Sequence, residues 1–189
     1  SFRQEAIQGA LAGPEAAQGS SGRLRKLRIG VSACLLGDPV RYDGQHKRST
    51  AVADDLAAHV EWVRLCPEVE VGMGVPRESV GLVGSGDATR LVGVSSGHDW
   101  TPAFDEWANA CIAGLPGDLC GWVFKSRSPS CGLDVREARA LGPESRGLGL
   151  FARALVRAMP RLPVIEEQAL EAPAARAAFL ERARAFGAG

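Results

Sequence analysis

Residues 27–33, Leu-Arg-Ile-Gly-Val-Ser-Ala, form a largely apolar run that stops at Cys34. A short apolar run without clean alternation predicts a strand buried on both faces, as in a parallel sheet. Behind it come Leu-Leu-Gly-Asp-Pro-Val-Arg-Tyr-Asp-Gly at 35–44, a loop rich in glycine and proline. The same grammar recurs twice. Residues 60–65, Val-Glu-Trp-Val-Arg-Leu, end at Cys66-Pro67-Glu68. Residues 121–125, Gly-Trp-Val-Phe-Lys, run into Ser126-Arg-Ser-Pro-Ser-Cys131-Gly132.

Helical signals lie between these strands. Residues 49–59 open on Ser-Thr and carry helical apolar spacing, and residues 101–113 open on Thr-Pro; both predict helices. A further helix is predicted over 147–159, a strand over 162–164, and a helical tail from Glu166 to Phe186. Residues 69–90 hold five glycines and read as a long loop with room for a hairpin, followed by a strand at 91–94. Strands alternating with helices predict an α/β sandwich in a single domain, with a mostly parallel, Rossmann- or flavodoxin-like sheet. The expected limits are an extension over 1–26, partly flexible with a short helix near 4–11, the α/β domain over 27–170, and a C-terminal helix over 171–189. Ligands of such sheets sit at the carboxyl ends of the strands.

The chain has 189 residues, 46% hydrophobic and 23% charged. That is ordinary globular composition for about one domain. Lysines and arginines number 22, as do aspartates and glutamates. A strongly basic nucleic-acid binder is therefore not indicated. No apolar run reaches the ~18 residues of a membrane span, and the first residues lack the apolar stretch of a secretory signal. The expected compartment is the cytoplasm. No phosphate loop, nucleophile elbow or dinucleotide fingerprint is present. His46, His59 and His98 are isolated, which argues against a histidine zinc site. Trp62, Trp100, Trp107 and Trp122 read as core or pocket wall.

Five cysteines in a non-secreted chain do not make a disulfide framework. Cys34, Cys66 and Cys131 each sit in a Gly- or Pro-flanked loop after a strand. In a parallel sheet those loops share one edge, so three thiolates from distant positions can converge. Thiolates are soft ligands suited to iron–sulfur clusters, zinc or copper. The plainer alternative is burial, the usual fate of a free cysteine. Cys111, in a helical run, and Cys120, before a strand, are assigned to structure.

Five stretches together resemble the thiouracil desulfidase family. They are residues 29–44 around Cys34, residues 66–77 (Cys-Pro-Glu-Val-Glu-Val-Gly-Met-Gly-Val-Pro-Arg), residues 125–132 around Cys131, Gly149-Leu-Phe-Ala152, and Leu162-Pro-Val164. The resemblance implies a [4Fe-4S] cluster held by Cys34, Cys66 and Cys131 alone, with an open iron for the sulfur of a thiolated pyrimidine. It implies a non-redox, hydrolytic desulfidase that releases sulfide from thiouracil or its nucleoside or nucleotide. The larger domain that some relatives carry next is not expected here, so tRNA is not the favoured substrate.

Such chemistry needs a base near the ring carbon. Glu68 is the candidate; its plainer role is capping a helix or pairing with Arg41 or Arg77. Ser128 is expected to donate to the substrate or pass a proton; otherwise it forms the turn before Pro129. Lys125 is expected to balance cluster or substrate charge, or to be a solvated strand-end lysine. Arg41, Tyr42, Asp43 and Ser130 are candidate substrate contacts, with an internal ion pair as the alternative for Arg41 and Asp43. Glu70 is read as supporting or structural. The competing functions are an electron-transfer iron–sulfur protein, which wants a fourth ligand, and a metal-stabilised RNA-binding module, which wants paired cysteines or a basic face.

Overall fold

Six-residue strands at Leu27–Ser32 (β1), Val60–Leu65 (β2) and Leu119–Phe124 (β5) form the centre of the molecule. With Val164–Glu166 (β8) they make a four-stranded sheet of order β2-β1-β5-β8, every pair parallel. The computed structural model describes residues 25–138 and 145–189. The expected helix near 4–11 and most of the 1–26 extension lie outside the described residues.

Both faces of this sheet are covered, which is why its strands read as apolar runs. On one face, Val63, Leu65, Trp122 and Phe124 pack with Phe104, Trp107 and Cys111 of α1 (Thr101–Ala113) and Leu150, Phe151 and Leu155 of α2 (Leu150–Ala158). The rings of Trp107, Trp122, Phe124 and Phe151 contact one another at 5.2–6.3 Å between centroids. Burying a Phe or Leu side chain here contributes about 1.5–3 kcal/mol. On the other face, Ile29, Val31 and Val123 meet Val52 and Leu56, together with Phe179, Leu180 and Ala183 of α3 (Pro173–Gly187). Register shifts by one residue where Arg28 faces Leu119 but Ile29 faces Gly121. The extra residue, Cys120, resets the alternation and tucks under α3, where a side chain on Gly187 would meet its sulfur. Gly30 is required because Trp122 lies across it: a Cβ there would fall 2.0 Å from the indole.

A second sheet was not expected in full. Val80–Val83 (β3) and Arg90–Gly93 (β4) form an antiparallel hairpin. Val135–Ala138 (β6) runs parallel to β3, and Ser145–Gly147 (β7) pairs with β6, giving the order β4-β3-β6-β7. The long loop predicted at 69–90 therefore contains a strand, and the strand predicted at 91–94 belongs to this smaller sheet.

Three helix predictions change. Residues 49–59 form only one wide helical turn, Ala51–Asp55, then further turns into β2; burying Ala51, Val52 and Leu56 needs no more. The helix expected from 147 begins at Leu150 because Ser145–Gly147 is extended and Gly149 precedes the helix at ψ 151°. The tail helix begins at Pro173 rather than Glu166, which still belongs to β8. Proline suits a first helical turn because its missing N–H has no partner there anyway.

Candidate active site

β1 lies between β2 and β5, so the chain leaves β1 to one side and returns on the other. The loops after β1 and β5 diverge at this reversal, and a crevice opens between them. A cavity of about 460 Å3 occupies it, a usual size for a small-molecule site. Cys34, Cys66 and Cys131 all line this cavity, whereas Cys111 and Cys120 do not. Arg77, Ser79 and Val80 add a wall from the start of β3 and the residues leading into it.

Each thiol is delivered by its own device. Cys34 sits in the 3-10 turn Ala33–Leu36, closed by Gly37 at φ 102°. Cys66 is the N-cap of the helical turn Pro67–Glu70, and its thiol donates to the carbonyl of Val40 at 3.6 Å. Cys131 lies in a loop that α2 caps: the amides of Leu150 and Phe151 donate to the carbonyls of Pro129 and Ser130, and that of Gly149 to Gly132. Gly149 lies so close that a Cβ would fall 2.6 Å from the Ser130 carbonyl carbon.

Burial dominates the thiols' acidity. It pushes Cys34 up to about 12, with Cys66 adding to the rise and Lys125 and Arg41 opposing it. Burial also raises Cys66, against the amides of Val69 and Glu68. Cys131 is raised well above its ordinary value, again by burial first; a hydrogen bond from Ser32 works the other way, and Cys66, Glu68 and Cys34 add to the rise. The three thiols thus feel one another and burial favours their protonated form; a thiolate-bound group placed there would have to displace those protons. Among the described residues, no group of three His, Cys, Asp or Glu side chains could hold one metal ion. Three soft donors around a shared cavity instead fit a larger, thiolate-bound group such as an iron–sulfur cluster.

Glu68 lines the cavity and is held from behind. Arg77 donates to its Oε2 through Nε at 2.9 Å and a terminal nitrogen at 2.7 Å, and Ser130 Oγ donates to Oε1 at 2.8 Å. Of the two pairings considered for Glu68, the one with Arg77 is present. Ser130 is fully buried and outside the cavity lining, so it reaches the cavity only through Glu68. Ser128 lines the cavity, and its oxygen accepts the amides of Ser130 at 3.3 Å and Cys131 at 3.2 Å. Among the described residues no protein acceptor takes its hydroxyl proton.

Lys125 lines the cavity too, but its ammonium turns to protein. It donates to the Ser126 carbonyl at 2.7 Å, the Ser126 hydroxyl at 3.3 Å and Glu167 Oε1 at 3.1 Å. Arg41 and Tyr42 stand on the rim. Arg41 pairs with Asp43 at 3.3 Å and lies 5.4 Å above the Tyr42 ring, and its guanidinium holds Asp43 below the usual carboxylate range. Asp43 does not line the cavity. Glu70 does not line it; burial pushes its pKa up and makes it a weaker acid. Trp107 and Trp122 are core residues, not cavity wall.

Sequence reasoning missed Ser32, Lys47, Arg127 and Glu167. Ser32, a polar residue inside an apolar strand, was the one available signal. Arg127 adopts φ 58°, a strained conformation for a side-chain-bearing residue, at the cavity wall. No described helix is long and apolar enough to cross a membrane.

Comparison with curated proteins finds no match. A solved structure described as a [4Fe-4S]-dependent thiouracil desulfidase, TudS, is similar to this chain at 34% identity and a TM-score of 0.62, over 81% of this chain and 97% of that one. The profile of the 2-thiouracil desulfurase family matches residues 29–167, most of the sequence that builds the central sheet and the cavity, and the chain belongs to that family.

Proposed function

We propose that the protein removes sulfur from a thiolated pyrimidine by hydrolysis, using a [4Fe-4S] cluster held by Cys34, Cys66 and Cys131. The observation that carries this reading is the convergence of three thiols, from the loops after β1, β2 and β5, on one cavity that also holds Glu68. When bound, such a cluster supplies a thiophilic Lewis acid with one coordination position free of protein for the substrate's sulfur.

The chain's own residues supply the rest. Glu68, oriented by Arg77 and Ser130, accepts the proton of a water attacking the ring carbon. Ser128 presents its hydroxyl proton toward the cavity, to a ring nitrogen or exocyclic oxygen of the base. A carbon–oxygen bond replaces the carbon–sulfur bond, sulfur leaves as sulfide, and no electrons are exchanged. Arg41 and Tyr42 meet whatever projects from the mouth, a ribose or phosphate if the substrate is a nucleoside or nucleotide. Free thiols of this kind suit a reducing compartment such as the cytoplasm.

The test is anaerobic reconstitution with iron and sulfide, then removal of excess sulfide, then a panel of thiouracils, thiouridines and thiouridine monophosphates. Stoichiometric appearance of sulfide and oxo-pyrimidine supports the reading. A reconstituted cluster that shuttles electrons but releases no sulfide from any member contradicts it and favours an electron carrier.

A further inference from the structure

Two consecutive carboxylates at the end of β8 grip the loop that carries Cys131. Glu167 accepts the Ser126 amide at 2.6 Å and the Ser126 hydroxyl at 2.7 Å, at the loop's start. Glu166 accepts the Leu133 amide at 2.7 Å, at its end. Between these points the chain makes its positive-φ turn at Arg127 and delivers Ser128 and Cys131 to the cavity. Glu167 is 8% exposed and Ser126 is 2% exposed. A charged group so enclosed persists only when paired, and its counter-charge is Lys125. The three N–H groups of that ammonium match the three protein acceptors around it, Glu167 among them.

We propose that Glu167 is a positioning residue of the site: paired with Lys125 and tied to Ser126, it locks the Cys131 loop in place before any cofactor arrives. Lys125 then acts as a strut within this clamp and not as a proton donor or a substrate contact. The cavity wall beside it is close to neutral, since its charge is taken up by Glu167. Charge-assisted hydrogen bonds in a shielded setting are the strong ones. The clamp also explains how a non-glycine residue is held at φ 58°: both flanks of the turn are fixed.

This inference rests on the cluster reading for its consequence, but its first measurement needs no iron. On the metal-free chain, the rate of Cys131 alkylation by iodoacetamide, read by peptide mass spectrometry, reports how often the loop opens. Glu167→Gln and Lys125→Met should each speed labelling of Cys131 by about tenfold or more, because a lost charge-assisted bond raises local opening by that order. Labelling of Cys34 should not speed up in both variants: losing the Lys125 charge slows it and losing the Glu167 charge favours it, through its acidity alone. The double variant should be no faster than the quicker single one, because both break the same contact. Ser126→Ala, a milder change, should give the same direction if Glu167→Gln fails to fold. After reconstitution, Lys125→Met and Glu167→Gln should share one signature: reduced iron content and reduced kcat with little change in KM. Unchanged Cys131 labelling in these variants overturns the clamp. A Lys125→Met protein with full iron, normal labelling and a raised KM overturns it too, and makes Lys125 a direct substrate contact. Wild-type protein that takes up no iron contradicts the cluster reading alone, and the labelling result stands apart from it.

Discussion

Glu68 faces the cavity with its carboxylate fixed by Arg77 and Ser130. Glu68→Gln keeps the size and one acceptor but cannot take a proton. Iron content should be retained while sulfide release falls by about 10²–10⁴, the usual loss for a general base. The same change leaves Arg77, whose side chain is 6% exposed, without its counter-charge. Breaking one partner of a buried pair costs up to about 3–5 kcal/mol. The cost here should fall below that range, since Gly74 and Val40 carbonyls still accept from Arg77. A lower melting temperature with full iron and lost turnover fits this account; normal turnover moves the base role away from Glu68. Cys111 shows the opposite kind of residue. It is buried on α1 away from the cavity, and burial, with Glu70 adding, raises its thiol to about 12. In the unfolded chain that thiol ionises near its ordinary value of 9.0. Between those values the folded state keeps a proton that the unfolded state has lost, so stability falls as pH rises. Denaturant midpoints of metal-free protein should decline from about pH 9 upward, and Cys111→Ala should flatten the decline. A slope identical in the variant would show that Cys111 does not contribute.

At the level of elements, the approach of α2 to the Cys131 loop depends on Gly149. A Cβ there would meet Ser130 and Cys131 backbone at 2.6–2.7 Å, and backbone cannot swing aside as a side chain tip can. Gly149→Ala should destabilise the fold by about 1–3 kcal/mol, as overpacking does, and should lower iron uptake. Equal melting curves and iron content would show that the loop can shift freely. The central strands were legible because burial on both faces left uninterrupted apolar runs such as Ile29–Val31 and Trp122–Phe124. The second sheet was not, because its strands of three or four residues are too short to show a period, and β3 and β4 bury only some of theirs. The cysteine loops could be read from position alone. Glu167 could not: its meaning comes from Lys125 and Ser126, some forty residues earlier and brought beside it only by β5–β8 pairing.

On the scale of the whole molecule, the parallel order β2-β1-β5-β8 gathers residues 34, 66 and 131 at one edge, and the approach to β3 adds Arg77, Ser79 and Val80 to the cavity they line. The fold thus places three thiols where a parallel sheet ordinarily binds its ligand. The central claim is that these three, and only these, hold the cluster. The most direct measurement is iron and acid-labile sulfide per chain after anaerobic reconstitution of the five single Cys→Ser variants. The account predicts about four irons per chain for wild type, Cys111→Ser and Cys120→Ser, and near none for Cys34→Ser, Cys66→Ser and Cys131→Ser. Full loading in any of the last three, or loss of iron in Cys111→Ser or Cys120→Ser with the fold intact, would contradict it.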